Sequence, residues 1–418
     1  MRCSALWERC GVDLPALEPQ YSQRDHEARE IAYDAELRAV EWEARRVSLN
    51  AGNRAPAQNR ILTSFGRFAV SALDLEPETA GLLTDGFLPA GVDFARRARA
   101  FDAALSRADT IQACRNAWTA CGLQPLLGAP MRITPSILAY SLLYPYTDNY
   151  LDAVDVRNGD KATFCRRFAD RLRGREAPAR NAHESSVWSL VAMIEGQFPQ
   201  ARFPRVYDSL LAIHQAQEES VAQLRADAPL SVDELLQLSI AKGGTSVLAD
   251  ACLARGWMTE EEAQFAFEWG VLLQLGDDLQ DVHDDLQRGS TTLFTRAVER
   301  GMALDRLVLQ LLGFCDCVAA RMEDLPGSLR LKNLLRMSWR SLIIAAIADA
   351  HTFFSPGFLL EAERCSPFRF EFQRARRKYL SSRQGVFTSL FDLFVEADAL
   401  RPEFRTSESA TPSLEVVF

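Results

Sequence analysis

Residues 276–292, GDDLQDVHDDLQRGSTT, crowd five carboxylates into the nine positions from Asp277 to Asp285, inside a stretch otherwise patterned as a buried helix. At about 100° per residue, Asp277, Asp281, Asp284 and Asp285 fall within an arc of about 100°. Leu275, Leu279, Val282 and Leu286 occupy the opposite side. Like charges at helical spacing repel by roughly 0.2–0.5 kcal/mol per pair even in solvent, and by more when half-buried. Such a face needs a positive partner, and a cluster of divalent cations is the first candidate. His283 lies among the acids in sequence, but its wheel position, about 240° from Asp277, directs it away from them and towards packing.

A second acidic stripe lies upstream. In DNYLDAVD, Asp148, Asp152 and Asp155 repeat the i, i+4, i+7 spacing of Asp277, Asp281 and Asp284. Two helices carrying such stripes can face one another and hold hard cations through oxygen ligands. Carboxylates with water suit Mg²⁺, which is commonly completed by phosphate oxygens. Neither stripe has the alternating loop ligands of an EF-hand. The joint expectation is a diphosphate site bridged by Mg²⁺. Side chains N-terminal to each stripe would share the space beneath it: Ile137, Ser141 and Tyr144 on one helix, Phe267, Gly270, Leu273 and Gln274 on the other. Most are small, aromatic or apolar. They predict a hydrophobic pocket under a charged lid, matched to a diphosphate head and a hydrocarbon tail.

The elements that would position these groups read as helices. Helical patterning, clearest in the period-3.6 apolar spacing of 94–121, predicts helices over 24–48, 60–74, 94–121, 162–173, 185–196, 204–225, 302–323, 328–354, 368–382 and 384–398. The 24–48 segment, rich in Glu, Ala and Arg, reads as largely solvated. Pro135 fits the first turn of a helix running to Asp155, with Pro145 predicting a kink or break. Ser231 with Glu234, and Thr259 with Glu262, have capping-box spacing at the starts of a 232–254 helix and of the helix carrying Asp277. Residues 174–183 read as a loop, and no Val/Ile-rich alternating run has strand length. The expectation is an all-α fold: an N-terminal segment at 1–24, one helical domain at 25–400 and a disordered tail at 401–418.

Bulk composition narrows the function classes. The chain has 418 residues, 48% of them hydrophobic and 25% charged, enough for a sizeable core. A net charge of −9 argues against nucleic acid as a partner and supplies no electrostatic membrane anchor. No stretch approaches the length of a transmembrane helix, and the N-terminus lacks a continuous apolar core of signal-peptide type. Nine cysteines without metal spacing predict buried free thiols and a cytoplasmic protein.

Taken together, these motifs resemble the class I isoprenoid synthase superfamily: trans-prenyl diphosphate synthases, squalene/phytoene synthases and class I terpene cyclases. DDLQD at 277–281 matches the family's DDxxD pattern in full, Asp278 included, and DNYLD at 148–152 matches it with Asn149 in place of the second Asp. Asp277, Asp281 and Asp285 also occupy the three positions of the cyclases' metal-binding triad, where Asn, Ser/Thr and Glu are usual. The resemblance spans roughly residues 130–300 and implies a single all-α bundle with a central cavity. It implies up to three Mg²⁺ ions held by Asp148, Asp152, Asp277, Asp278, Asp281 and Asp285, and a prenyl diphosphate substrate. Lys242, in AKGGTSVLADA, and Arg377 with Tyr379, in RRKY, are the implied diphosphate contacts. Ser141, Tyr144, Gly270, Leu273 and Gln274 are the implied pocket, with Tyr144 in the place of a chain-length floor.

Family chemistry is Mg²⁺-assisted loss of diphosphate to give an allylic cation, then cyclisation or condensation. The elongators' Gly-Lys-x-x-Arg stretch is missing, and Arg157 and the Arg166–Arg167 pair substitute imperfectly for their double arginine. The expectation is therefore a class I terpene synthase. A prenyltransferase, elongating or head-to-head, is the alternative, with an inactive helical partner subunit as a third. Family members are often homodimers.

Overall fold

A computed structural model describes residues 2–11, 20–48, 54–73, 75–153, 156–220, 230–383, 391 and 393–395. Among these residues there are eighteen α-helices and no strand, so the fold is all-α. In chain order they are α1 (Arg2–Arg9), α2 (Gln23–Ser48), α3 (Arg54–Ser71), α4 (Pro77–Leu82), α5 (Leu88–Phe101), α6 (Arg107–Leu126), α7 (Pro135–Asp152), α8 (Asn158–Leu172) and α9 (Ala182–Gln197). The second half supplies α10 (Pro204–Ser220), α11 (Val232–Arg255), α12 (Glu260–Gln280), α13 (Val282–Arg288), α14 (Leu293–Glu299), α15 (Asp305–Met322), α16 (Leu329–Asp349), α17 (Pro356–Arg364) and α18 (Phe370–Ser382). No helix among the described residues is long and apolar enough to cross a membrane.

Local chemistry sets the helix starts. Thr134 caps α7 by accepting from the Ile137 amide, with Pro135 in the first turn. Both expected capping boxes form, Ser231 with Glu234 and Thr259 with Glu262. Between these two helices Gly256 stands at φ 84°, the left-handed geometry that ends α11 and turns the chain back. The returning α12 is antiparallel to α11 and unusually close to it. A β-carbon on Gly270 would lie 2.0 Å from the Gly243 carbonyl oxygen, and one on Gly244 would lie 2.4 Å from the Phe267 ring. Glycines here let two backbones meet where any side chain would hold them apart.

Several sequence expectations change. The single helix expected over 94–121 is two, because Asp102 accepts from the Ala104 amide and Ser106 caps α6 through the Asp109 amide. Such local side-chain bonds compete with helix continuation. The helix expected through Pro145 does not break there. The N-terminal segment contains α1, whose Trp7 is buried and meets Phe314 edge-on at 5.9 Å. Nor is α2 a largely solvated helix. Its Glu30 and Glu43 are buried, held by Arg369 and Arg60 respectively. The proposed helix at 384–398 falls mostly, and the 401–418 tail wholly, outside the described residues.

One hydrophobic core runs from α1 to α18, with Phe94, Phe265, Phe294 and Phe314 among its fully buried side chains. All nine cysteines are free and seven of them are buried.

Candidate functional site

Helices α6, α7, α10, α11 and α12, with Phe168 of α8, enclose a cavity of ≈ 100 Å³. Its apolar wall comes from Leu143, Leu210, Ile213 and Phe168, with the rings of Tyr140 and Tyr144. Its polar wall comes from Asn116, His214, Gln217, Lys242, Gln274 and Asp277. Lys242, Tyr144, Gln274 and Asp277, four residues singled out in the sequence, are thus brought together. The volume is below the about 300–1,000 Å³ of pockets that hold drug-sized ligands, so a long ligand requires the lining side chains to move apart.

Electrostatics at the acidic stripe follow from crowding and burial. Asp277 is half-exposed and pairs with Arg115 of α6 at 3.3 Å. Helix α12 ends at Asp281, yet hydrogen bonding carries through: the Asp281 amide donates to the Asp277 carbonyl and the Asp285 amide to the Asp281 carbonyl. Asp277, Asp281 and Asp285 therefore stay one turn apart. Burial raises the Asp281 carboxyl above its ordinary value, and the charges of Asp277 and Asp284 raise it further. Asp285 is pushed up to about 6, by burial first and by Asp281 next. The Lys242 charge pulls against both Asp285 and Asp278.

Asp278 is turned inward and buried. Ser239 of α11 donates to its Oδ2 and Gln274 to its Oδ1, both at 2.8 Å. Burial pushes its carboxyl up to about 6 despite those bonds. It is a strut between α11 and α12 rather than an open ligand like its neighbour.

On the upstream stripe, Gln217 of α10 donates to Asp148 Oδ1 at 2.8 Å, which links that carboxylate to the cavity wall. Asn149 is exposed and donates to Asp109 of α6 at 2.9 Å. Asp152 ends α7, but its side chain, like all of Asp155, lies outside what the structure describes.

Other sequence-predicted residues are placed away from the cavity surface. Gly270 forms the helix crossing with Gly243 and does not line the pocket. Phe267 fills the space over Gly244, and Leu273 packs on the core. Ser141 is fully buried behind Asn116, whose amide donates to it at 3.1 Å. Arg377 is paired with Asp349, and the Tyr379 hydroxyl donates to Glu41 at 3.1 Å. Neither lines the cavity, because RRKY clamps α18 onto α2 and α16: Arg376 also pairs with Asp34, at 2.5 Å. His283 lies against Phe353, with ring centroids 4.6 Å apart and the planes tilted by 39°, in keeping with its wheel position.

Sequence reading missed Arg115, Asn116, His214 and Gln217. None belongs to a motif with recognisable spacing, and only tertiary packing aims it at the stripe or cavity. Behind Asn116 lies the fully buried Asp250, to whose Oδ1 the same amide donates at 3.1 Å. Burial holds the Asp250 carboxyl well above the ordinary carboxylate range. No protein-family model matches the chain, and no curated protein matches it.

Proposed function

We propose that this chain is a class I terpene synthase, of the isoprenoid synthase fold type, that ionises a linear allylic prenyl diphosphate and cyclises or rearranges the cation. One observation carries the reading: a half-buried stripe of carboxylates, Asp277, Asp281 and Asp285, reaches through Asp277 a cavity with one aromatic and aliphatic wall. The donor set fits Mg²⁺, because it is all oxygen and its mutual repulsion leaves the charges in want of a cation. Asp277, Asp281 and Asp285 would hold the metal from α12 and α13, with Asp148 and Asp152 of α7 as the further carboxylate donors. Bound there, Mg²⁺ supplies the charge that stabilises the departing diphosphate.

The chain's own residues do the rest. Lys242, and Arg115 beside Asp277, bring the positive side chains to the diphosphate end. Tyr140 and Tyr144, with Phe168, offer ring faces to a cation and exclude water from it. The Tyr140 hydroxyl is fixed by donating to the Ser246 carbonyl at 3.1 Å, which keeps its oxygen from wandering into the apolar space.

The prenyltransferase alternative has less support. Arg167, one candidate for a second phosphate-binding arginine, forms an ion pair with the buried Glu184, and Arg157 pairs with Asp160. The test is a single-substrate assay with Mg²⁺ and prenyl diphosphates of ten to twenty-five carbons, following diphosphate release and hydrocarbon or alcohol product. Asp277→Ala should abolish release, and EDTA should do the same to the wild type. Turnover only on adding isopentenyl diphosphate would make the protein an elongating enzyme; no release with any of these substrates would leave the scaffold reading standing.

A further inference from the structure

Where His214 helps to form the cavity wall, α8 and α10 bring together three side chains of a different chemistry. Cys165, His214 and Glu218 each offer a donor atom, and these atoms lie within 4.8 Å of one another. Cys165 and His214 are buried, whereas Glu218 is half-exposed at the edge. We propose that Cys165 Sγ, His214 Nε2 and a Glu218 oxygen bind one Zn²⁺-class ion, at a site separate from the all-oxygen aspartate cluster.

Geometry supports this assignment. His214 and Glu218 are i, i+4 on α10, the spacing that stacks two ligands on one helix face. Glu218 Oε2 stands 3.6 Å from His214 Nε2. An ion centred among three atoms at the widest allowed spacing would sit about 2.8 Å from each. Zn²⁺ takes sulfur at about 2.3 Å and nitrogen or oxygen at about 2.0–2.2 Å, so each donor need close by only about 0.6 Å.

The chemistry is consistent as well. A thiolate, an imidazole and a carboxylate make a mixed S/N/O set, which suits Zn²⁺ and is poor for Mg²⁺. His214 Nε2 donates to the Cys165 carbonyl at 3.0 Å, and its buried Nδ1 has no partner among the described residues. Loading the site moves the ring proton from Nε2 to Nδ1 and gives up the hydrogen bond to the Cys165 carbonyl, which the bond to the metal replaces. The Cys165 thiol proton leaves to solvent, so one proton is released per ion bound. Three protein ligands leave the fourth position for water at the exposed Glu218 edge.

Such an ion would clamp α8 to α10, and α10 also presents Ile213, His214 and Gln217 to the cavity. Metal occupancy would thereby stiffen one cavity wall. The inference does not depend on the terpene synthase reading.

Full-length protein stripped with a chelator, dialysed free of it and held in excess Mg²⁺ to occupy the aspartate cluster should bind one equivalent of Zn²⁺ by titration calorimetry. Co²⁺ in its place should give a thiolate-to-metal charge-transfer band. Cys165→Ser should remove the band, whereas Cys252→Ser, a buried thiol elsewhere, should keep it. Glu218→Gln changes a half-exposed side chain and should leave the fold intact while weakening Zn²⁺ binding about tenfold or more. Asp277→Ala should leave Zn²⁺ binding unchanged. Absence of stoichiometric binding, or a band and affinity unaffected by both Cys165→Ser and Glu218→Gln, overturns the site.

Discussion

Replacing Gly270 with alanine tests whether the close approach of α11 and α12 is what sets the acidic stripe in place. The added methyl would stand 2.0 Å from the Gly243 carbonyl oxygen and 3.0 Å from Val247 Cβ. A carbon and a carbonyl oxygen rest no closer than about 3.3 Å, so the helices must part by about 1.3 Å. The obstacle is backbone and cannot rotate aside, which puts the cost near the top of the overpacking range, about 3 kcal/mol. Alanine's better helix propensity returns about 1 kcal/mol, leaving a net loss of about 2 kcal/mol.

Gly276, six residues along the same helix, is the control. A β-carbon there meets nothing within 4 Å, so Gly276→Ala should stabilise by about 0.5–1 kcal/mol. Urea denaturation followed by circular dichroism should separate the two variants by close to 3 kcal/mol. Melting temperature is less sensitive: about 2.1 cal/mol/K per residue over 418 residues makes 2 kcal/mol only about 2 °C. If Gly270→Ala is as stable as the wild type, the glycine contact does not set the helix spacing. If it is destabilised yet releases diphosphate at the wild-type rate, the spacing does not position the stripe.

Three further outcomes are expected. Asp250 is buried with its carboxyl raised, so the native state holds it neutral while the unfolded chain ionises it above a pH of about 4. Its contribution is fully present below that pH and is lost as pH rises towards the folded value; stability of Asp250→Asn relative to the wild type should then climb by about 1.4 kcal/mol per pH unit in that window, and a difference in urea midpoints that does not change as pH rises from about 4 would contradict this. Arg377→Ala removes a half-exposed ion pair to Asp349, so it should cost no more than about 1 kcal/mol and leave diphosphate release intact; a loss of release with unchanged stability would restore a substrate role to Arg377. Tyr144 lines a small cavity, so Tyr144→Ala should shift the preferred prenyl diphosphate towards longer chains, as read by competition between substrates of different length.

Much of the fold was legible because helices declare themselves locally. The capping boxes at Ser231 and Thr259 and the apolar period around Asp277 are short-range features, and the structure keeps them. What failed locally failed for local reasons, as where Asp102 and Ser106 turn the chain inside an otherwise helical pattern. Burial of α2 was hidden because three of its buried side chains, Glu30, Glu41 and Glu43, are glutamates, and Glu30 and Glu43 go inside because arginines from elsewhere meet them. One of these, Arg369, lies over three hundred residues from Glu30.

The candidate site divides along the same line. Spacing within one helix was enough to mark Asp277, Asp281 and Asp285 as a crowded acidic face, since residues a turn apart must share a side. Whether a neighbouring residue opens on the cavity depends on rotation and distance between helices, which no helical period encodes. That is why Gly270 became a crossing point, Asp278 a strut and RRKY a clamp, while Arg115, Asn116 and Gln217 arrived at the stripe or the cavity from helices that gave no sign of it. The chain alone determined where charge accumulates; only packing decided which groups that charge meets.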